Sequence, residues 1–217
     1  MGGGDGATPM SALTAVLASA NRHKAAEIQA IVAGELGERL TLVPRPADVA
    51  DVEETGDTFE ANARLKARAL VAATGMAALA DDSGIEVEAL GGAPGVRSAR
   101  YAGEGASDAD NVAKLLGALA EAGATRPGER RARFRAVVLL SFPDGHELVA
   151  NGSVEGVVLD APRGDGGFGY DPVFSPDGAD GRSFAELDPA TKHACSHRGR
   201  ALRALAVALA HEDRLPS

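Results

Sequence analysis

The alternation of apolar and polar positions divides the chain into short strands and amphipathic helices. TAVLASA (Thr14–Ala20) is compact, apolar and partly β-branched, which predicts a buried strand. NRHKAAEIQAIVAG follows with apolar residues at helical spacing; Asn21 stands where a cap belongs and Gly34 near the expected end. RLTLVP predicts a second strand, closed by Pro44 and Pro46. After the acidic loop DVEETGD, the stretch TFEANARLKARALVAATG predicts a strong helix. Glu60, Arg64 and Arg68 are four residues apart and Gly75 stands as terminator. MAALA then predicts a strand that stops at two aspartates, and IEVEAL another, with Ser83-Gly84 between them read as a turn.

The second half continues with a helix over DADNVAKLLGALAEAG and a β-hairpin over ARFRAVVLLSFPDGHELVANGSVEGVVL, which turns at PDGH. A last helix, SHRGRALRALAVALAHE, is expected to be capped by Ser196. Strands and helices alternate and then give way to a long hairpin, which predicts an α/β fold with a mixed sheet. No internal repeat or linker divides residues 12–217, so one domain is expected. Three long loops, 51–57, 91–107 and 161–183, are charged or glycine-rich. Long structureless loops in a compact domain are usually functional, so these three point to a cleft.

Composition narrows the partners. Among 217 residues, 22 basic against 31 acidic side chains give a net charge of −9, which disfavours non-specific binding to nucleic acid. A local basic cluster or a bound metal can still reverse the field inside a cleft, so small anions stay open as ligands. One cysteine makes no internal disulfide, and no apolar run approaches the roughly 20 residues that span a bilayer, so a cytoplasmic protein is expected. The start, MGGGDGATPM, lacks the basic and apolar regions of a signal peptide, and Gly6 stands where myristoylation wants Ser or Thr. Residues 1–11 are therefore expected to be a flexible tail.

Five places carry candidate chemistry. At the first strand–helix junction, free backbone N–H groups and the helix dipole make a phosphate seat to which Ser19, Asn21 and Lys24 add donors; a plain N-cap is the simpler reading. Asn62 and Lys66, four apart, share one helix face beside Glu53 and Glu54; that face is either a ligand surface or merely solvated. Asp81 and Asp82 offer hard oxygens suited to Mg²⁺, which takes one or two carboxylates plus substrate phosphates. Neighbours on an extended backbone point opposite ways, so one of the two is expected to face a metal. In GGFGYDP, Phe168 or Tyr170 can stack on a base and Asp171 can accept from base or sugar, or the aromatics can belong to the core. Lys192, His197 and Arg198, at or before a helix start, oppose its dipole and so invite an anionic or carbonyl-bearing partner. His193 and Cys195 have no ligand set at zinc spacing, and Cys195 reads as a small buried hydrophobe.

Taken together, SANRHK, EETGDTFEANARLKA, ADDSGIEVEALGGAPGVRSARYAG, GGFGYDPVF and KHACSHRGRAL resemble the inosine/xanthosine triphosphate pyrophosphatase family, in that family's motif order, from Val16 to Leu209. The resemblance implies an elongated α/β architecture, two lobes of a twisted mixed sheet around a central cleft, in a homodimer. It implies Mg²⁺-dependent hydrolysis of ITP, dITP and XTP to the monophosphate and pyrophosphate. It also implies that Ser19, Ala20, Asn21, Arg22, His23 and Lys24 contact the nucleotide, that Lys66 neutralises phosphate, and that Glu53 or Glu54 binds metal. Asp82 matches the proposed general base, with Asp81 as a supporting carboxylate and Ser83 touching substrate. Phe168, Gly169, Tyr170 and Asp171 hold the base, while Lys192, His197 and Arg198 read it. The alternatives are a related pyrophosphatase for pyrimidine or modified nucleotides, and a nucleotide-binding regulator without catalysis.

Overall fold

The computed structural model describes residues 12–37 and 39–212, so the expected tail, 1–11, lies outside the described residues. Six strands form one mixed sheet in the order β2-β1-β3-β4-β5-β6. Strand β1 (Leu13–Leu17) lies parallel to β2 (Leu40–Pro44) and β3 (Ala77–Val87). β4 (Arg131–Ser141), β5 (Glu147–Val158) and the short β6 (Phe174–Pro176) follow antiparallel. The hairpin β4–β5 is where the alternation places it.

Helices cover both faces. α1 (Arg22–Leu36) and α5 (His197–Ala210) pack on one, where Leu17, Leu79, Val138 and Leu140 meet Ile28, Leu202 and Leu205. α2 (Phe59–Thr74) packs on the other, setting Phe59, Ala63, Ala67 and Leu70 against Val16, Ala78, Ala80, Val137 and Leu139. These residues alternate along β1, β3 and β4, as strand geometry requires of a sheet buried on both sides. Beyond the end of β1, the far halves of β3–β5 build a second lobe. There α3 (Asp108–Glu121), Phe134, Phe174 and Phe184 enclose Ile85, Val87 and Leu115. Each such buried Leu, Ile or Phe contributes about 1.5–3 kcal/mol relative to exposure.

Three expectations need correcting. The aspartate pair does not end a strand, and Ser83-Gly84 is not a turn. β3 runs unbroken for 11 residues, pairing Asp81 with Val138, Asp82 with Val137 and Gly84 with Arg135 on β4. With β4 as a continuous partner, the backbone has no reason to turn. Glycine is needed at 84 for space, because a Cβ there would collide with the Gly95 carbonyl and Ser98 Oγ of the loop above. Secondly, α1 passes through Gly34 to Leu36. Thirdly, part of two of the three long loops is ordered structure: a 3-10 segment, Gly95–Arg100, in 91–107 and strand β6 in 161–183, whereas 51–57 carries no helix or strand. A seven-residue helix, α4 (Pro189–Cys195), precedes α5. Its signal was present in the sequence, since Asp188 caps it by accepting from Thr191 N and Pro189 takes the first helical position.

Candidate active site

β3 is the wall on which the site is built. Its buried apolar residues, Ala77 to Ala80, pack against the helices on both faces, and the next two positions project carboxylates to opposite faces. Asp82 points toward α2. Asn62 Nδ2 donates to its Oδ2 at 3.0 Å, and Lys66 Nζ lies 3.4 Å from its Oδ1. Lys66 also donates to Glu54 Oε1 at 2.7 Å, so one ammonium sits between two carboxylates. Burial pushes Asp82 above the usual carboxylate range, and Lys66 and Lys24 offset this only in part. Burial also acts on Lys66, but Asp82 and Glu54 outweigh it and raise its pKa.

Asp81 points the other way and is closed in. Lys24 Nζ stands 3.1 Å and Arg198 Nε 3.2 Å from its Oδ2. Burial alone would raise its pKa, yet Lys24 and Arg198 together hold it at about 2. Arg198 Nη1 donates to Glu27 Oε1 at 3.1 Å and Nη2 to Ser83 Oγ at 2.9 Å. Lys192 donates to Glu27 Oε2 at 3.1 Å and to Asp171 Oδ2 at 2.7 Å. Three acids and three cations thus form one buried network that includes the base-reading candidates Lys192 and Arg198. His197, next in the same cluster, stacks on Phe134 with ring centroids 4.6 Å apart. Burial, reinforced by Arg198 and Lys192, drives its pKa well below the histidine range, so the ring is neutral. Its Nδ1 is buried and has no hydrogen-bond partner among the described residues.

Two neighbouring cavities lie along this wall. The larger, about 800 Å³, is lined by the β1–α1 turn (Ser19, Ala20, Asn21, Lys24), the 51–55 loop, Lys66, Asp82 and Arg100. The smaller, about 110 Å³, is lined by Phe168, Gly169, Tyr170, Asp171, His197 and Arg198. Asn21, Lys24, Ser83 and Ala99 border both. Asn21 caps α1, its Oδ1 accepting from Lys24 N at 3.1 Å, and Ser19, Ala20 and Asn21 line the larger cavity just before the helix. Phe168 carries Lys192 Nζ 4.9 Å and Arg198 Cζ 5.7 Å from its ring centre and stacks on His23 at 6.1 Å.

Several expected residues take other places. Tyr170 is not a stacking platform: its ring is in the far-lobe core and its hydroxyl donates to Ser98 O at 2.8 Å. Asp171 is buried, accepting from Phe168 N at 2.8 Å and from Lys192, so it fixes the loop and the lysine instead of facing a sugar. Asn62 is fully buried; it holds Asp82 and accepts from Gly56 N at 2.8 Å. A side chain at 56 would press its Cβ to 2.7 Å from Asn62 Oδ1, so glycine lets the acidic loop reach this anchor. Arg22 is exposed and lines neither cavity. Of the four carboxylates considered for a metal, only Glu54 and Asp82 are brought together. Asp81 is on the opposite face, and Glu53 lines the cavity with an exposed side chain.

Two residues were missed. Glu27 anchors both Lys192 and Arg198; its signal was a charge on the buried stripe of α1, one residue before Ile28. Arg100, in the SARY stretch, reaches Glu54, its Nη2 donating to the Glu54 carbonyl at 3.0 Å.

Comparison with known proteins agrees over nearly the whole chain. The model of the Ham1 family matches residues 15–208. A dITP/XTP pyrophosphatase of Mycolicibacterium paratuberculosis is 50% identical over 197 residues, covering 89% of this chain and 94% of that protein. One of Thermus thermophilus is 54% identical over 153 residues, 70% of this chain and 72% of the other. A solved HAM1 protein from Coxiella burnetii superposes with TM-score 0.81 at 43% identity, over 92% of this chain and 100% of that one. The Ham1 protein of Staphylococcus aureus gives 0.77 at 40% identity, over 91% and 98%. With this fold, this site and these relatives, the chain belongs to the Ham1 family.

Proposed function

We propose that this protein hydrolyses non-standard purine nucleoside triphosphates, ITP, dITP and XTP, to the monophosphate and pyrophosphate, with Mg²⁺ as cofactor. The observation that carries the reading is Asp82. It is a buried carboxylate of raised pKa, oriented by Asn62 and Lys66, on the wall of a cavity that shares Asn21, Lys24, Ser83 and Ala99 with a smaller one lined by Phe168.

The donor set suits a divalent cation. The larger cavity is lined by five carboxylates and four cationic side chains, short of positive charge for a polyanion. Among the described residues no three His, Cys, Asp or Glu gather into a metal group, whereas Glu54 and Asp82 share Lys66. Two carboxylates plus substrate phosphates is the coordination typical of Mg²⁺. Bound by Glu54 and Asp82, Mg²⁺ would supply positive charge against the phosphate oxygens.

The chain's own residues do the rest. The base enters the smaller cavity against Phe168, and the phosphates lie along the β1–α1 turn, Lys24 and Lys66. Asp82 accepts a proton from water as its oxygen attacks the α-phosphorus in line, and pyrophosphate leaves. A carboxylate raised by burial is a stronger base than a free one. Arg198, on the wall of the smaller cavity, would donate to an oxygen at C6 of hypoxanthine or xanthine, with Lys192 buried beside it and held by Glu27 and Asp171. Adenine places a donor there; unpaired, it costs about 1–3 kcal/mol. Guanine shares the C6 oxygen, so its exclusion falls to the 2-amino group.

Turnover of ITP, XTP, GTP and ATP with Mg²⁺, with products identified, tests the reading. IMP and pyrophosphate from ITP are expected, and orthophosphate would place the attack elsewhere. Arg198→Ala is expected to narrow the preference for ITP over ATP, and an unchanged ratio removes Arg198 as reader. A cytoplasmic homodimer completes the proposal, with light scattering as the check on assembly. No helix among the described residues is long and apolar enough to cross a membrane.

A further inference from the structure

We propose that Arg100 is a substrate-binding residue that grips the pyrophosphate half of the triphosphate. The inference rests on the reading above and adds a residue that neither motif spacing nor charge in the sequence singled out. Arg100 is half-buried and lines the larger cavity. The other cations there are committed. Lys66 is 2.7 Å from Glu54, Lys24 is 3.1 Å from Asp81, and Arg45 is tightly paired with Asp51. Arg100 stands 3.5 Å from Glu54 Oε2 and 3.5 Å from Glu104, whose side chain is 88% exposed. Among the described residues lining the cavity, it is the cation held furthest from its carboxylates. A guanidinium presents five N–H donors in a planar fork that matches phosphate oxygens two at a time.

Its backbone is fixed, as a phosphate grip requires. Ser98 Oγ donates to Gly95 O at 2.6 Å and accepts from Ile85 N on β3 at 3.0 Å. Asn111 donates to Ala99 O at 3.2 Å and accepts from Ala102 N at 2.7 Å. Tyr170, from the loop that holds Phe168, donates to Ser98 O. The segment 98–100 therefore borders both cavities: Ser98 and Ala99 face the base compartment, and Arg100 faces the larger one. One rigid stretch ties the position of the base to the position of the far phosphates. When Glu54 turns to a cation, the guanidinium loses a weak partner and keeps its bond to the Glu54 carbonyl, with its remaining donors free for phosphate.

The two products separate this role from a structural one. Binding of pyrophosphate and of IMP is measured by calorimetry in buffer containing Mg²⁺ for the wild-type chain, Arg100→Ala and Arg100→Lys. Arg100→Ala is expected to weaken pyrophosphate at least tenfold and leave IMP within twofold, with Arg100→Lys between. The kcat/KM for ITP falls by a similar factor. Equal pyrophosphate binding by wild type and Arg100→Ala, or equal losses for both products, overturns the assignment and leaves Arg100 as a brace for Glu54. If the wild-type chain released no pyrophosphate from ITP, the functional reading would fail, while the binding comparison would still decide whether Arg100 holds phosphate.

Discussion

On one face of β3, Asp81 is enclosed by Lys24 and Arg198 and held at about 2. On the other face, one residue on, Asp82 borders a cavity and is pushed up by burial that Lys66 and Lys24 only partly offset. The two side chains are chemically identical and their backbones are continuous, so the difference lies in what the helices bring to each face. α1 and α5 deliver two cations and a second acid, Glu27, and close the network. α2 delivers an amide and one lysine, and leaves the carboxylate open to the cavity. A carboxylate pinned far below its ordinary pKa serves as a fixed counter-charge. One raised above its ordinary value holds a proton more readily and is the stronger proton acceptor.

The sharpest way to break this contrast is to neutralise each partner in turn. Asp82→Asn keeps shape and the Asn62 contact but removes the base, so turnover of ITP is expected to fall on the order of 10²–10⁴-fold. Because folding disfavours the ionised form of a carboxylate with raised pKa, the same change is expected to leave thermal stability equal or higher. Near-normal rates would remove Asp82 as base. Asp81→Asn leaves Lys24 and Arg198 buried with less compensation, at a cost of about 3–5 kcal/mol in urea unfolding. The linkage has a definite sign. A depressed pKa stabilises the fold fully above the unfolded value, near 4, and the contribution disappears as pH falls through about 2. Wild-type stability is expected to drop over that window more steeply than that of Asp81→Asn; parallel curves would contradict the pairing.

The buried network behind the base pocket gives a smaller effect. Glu27→Gln keeps volume but removes the charge that fixes Lys192 and Arg198 together. Discrimination of ITP from ATP is expected to fall about tenfold, in line with one charge-assisted contact loosened at each reader. An unchanged ratio would mean that Asp81, Asp171 and Ser83 suffice to hold them.

How much of this was legible beforehand follows from the range of the interactions. The Asn21 and Ser196 caps and the Gly75 terminator depend on neighbours in sequence and lie where the pattern puts them, while β1 forms within the expected stretch but ends at Leu17, three residues early. The opposite facing of Asp81 and Asp82 was also legible, because strand periodicity alone demands it. The continuity of β3 was not. Asp-Asp-Ser-Gly has the composition of a turn, and only β4, some fifty residues later, keeps it extended. The same limit applies to Tyr170 and Asp171, whose partners Ser98 and Lys192 are 72 and 21 residues away. Glu27 pairs across 165 and 171 residues, so local spacing could mark it as out of place but not say why.

The finest probe of the two faces is the acid limb of the pH–rate profile. Asp82 works as a base only when ionised, so kcat/KM is expected to fall as pH drops through its raised pKa, above the range of an exposed aspartate. Asn62 donates to the ionised carboxylate and thereby lowers that pKa. Asn62→Ala removes the donor, disfavours the anion and moves the limb to higher pH, so the variant loses most activity in mildly acidic buffer and least in alkaline buffer. The direction matters, because a merely loosened loop at Gly56, whose N–H also loses its acceptor, would lower the whole profile without moving it. Lys192→Met provides the comparison from the closed face: it alters base recognition and the Asp171 contact, yet it leaves every donor to Asp82 in place. A shifted limb in Asn62→Ala with an unshifted one in Lys192→Met is the expected pair of results. A shift in both would mean that the two sides of β3 titrate as one network, and that Asp82 is not insulated from the charges behind the base pocket.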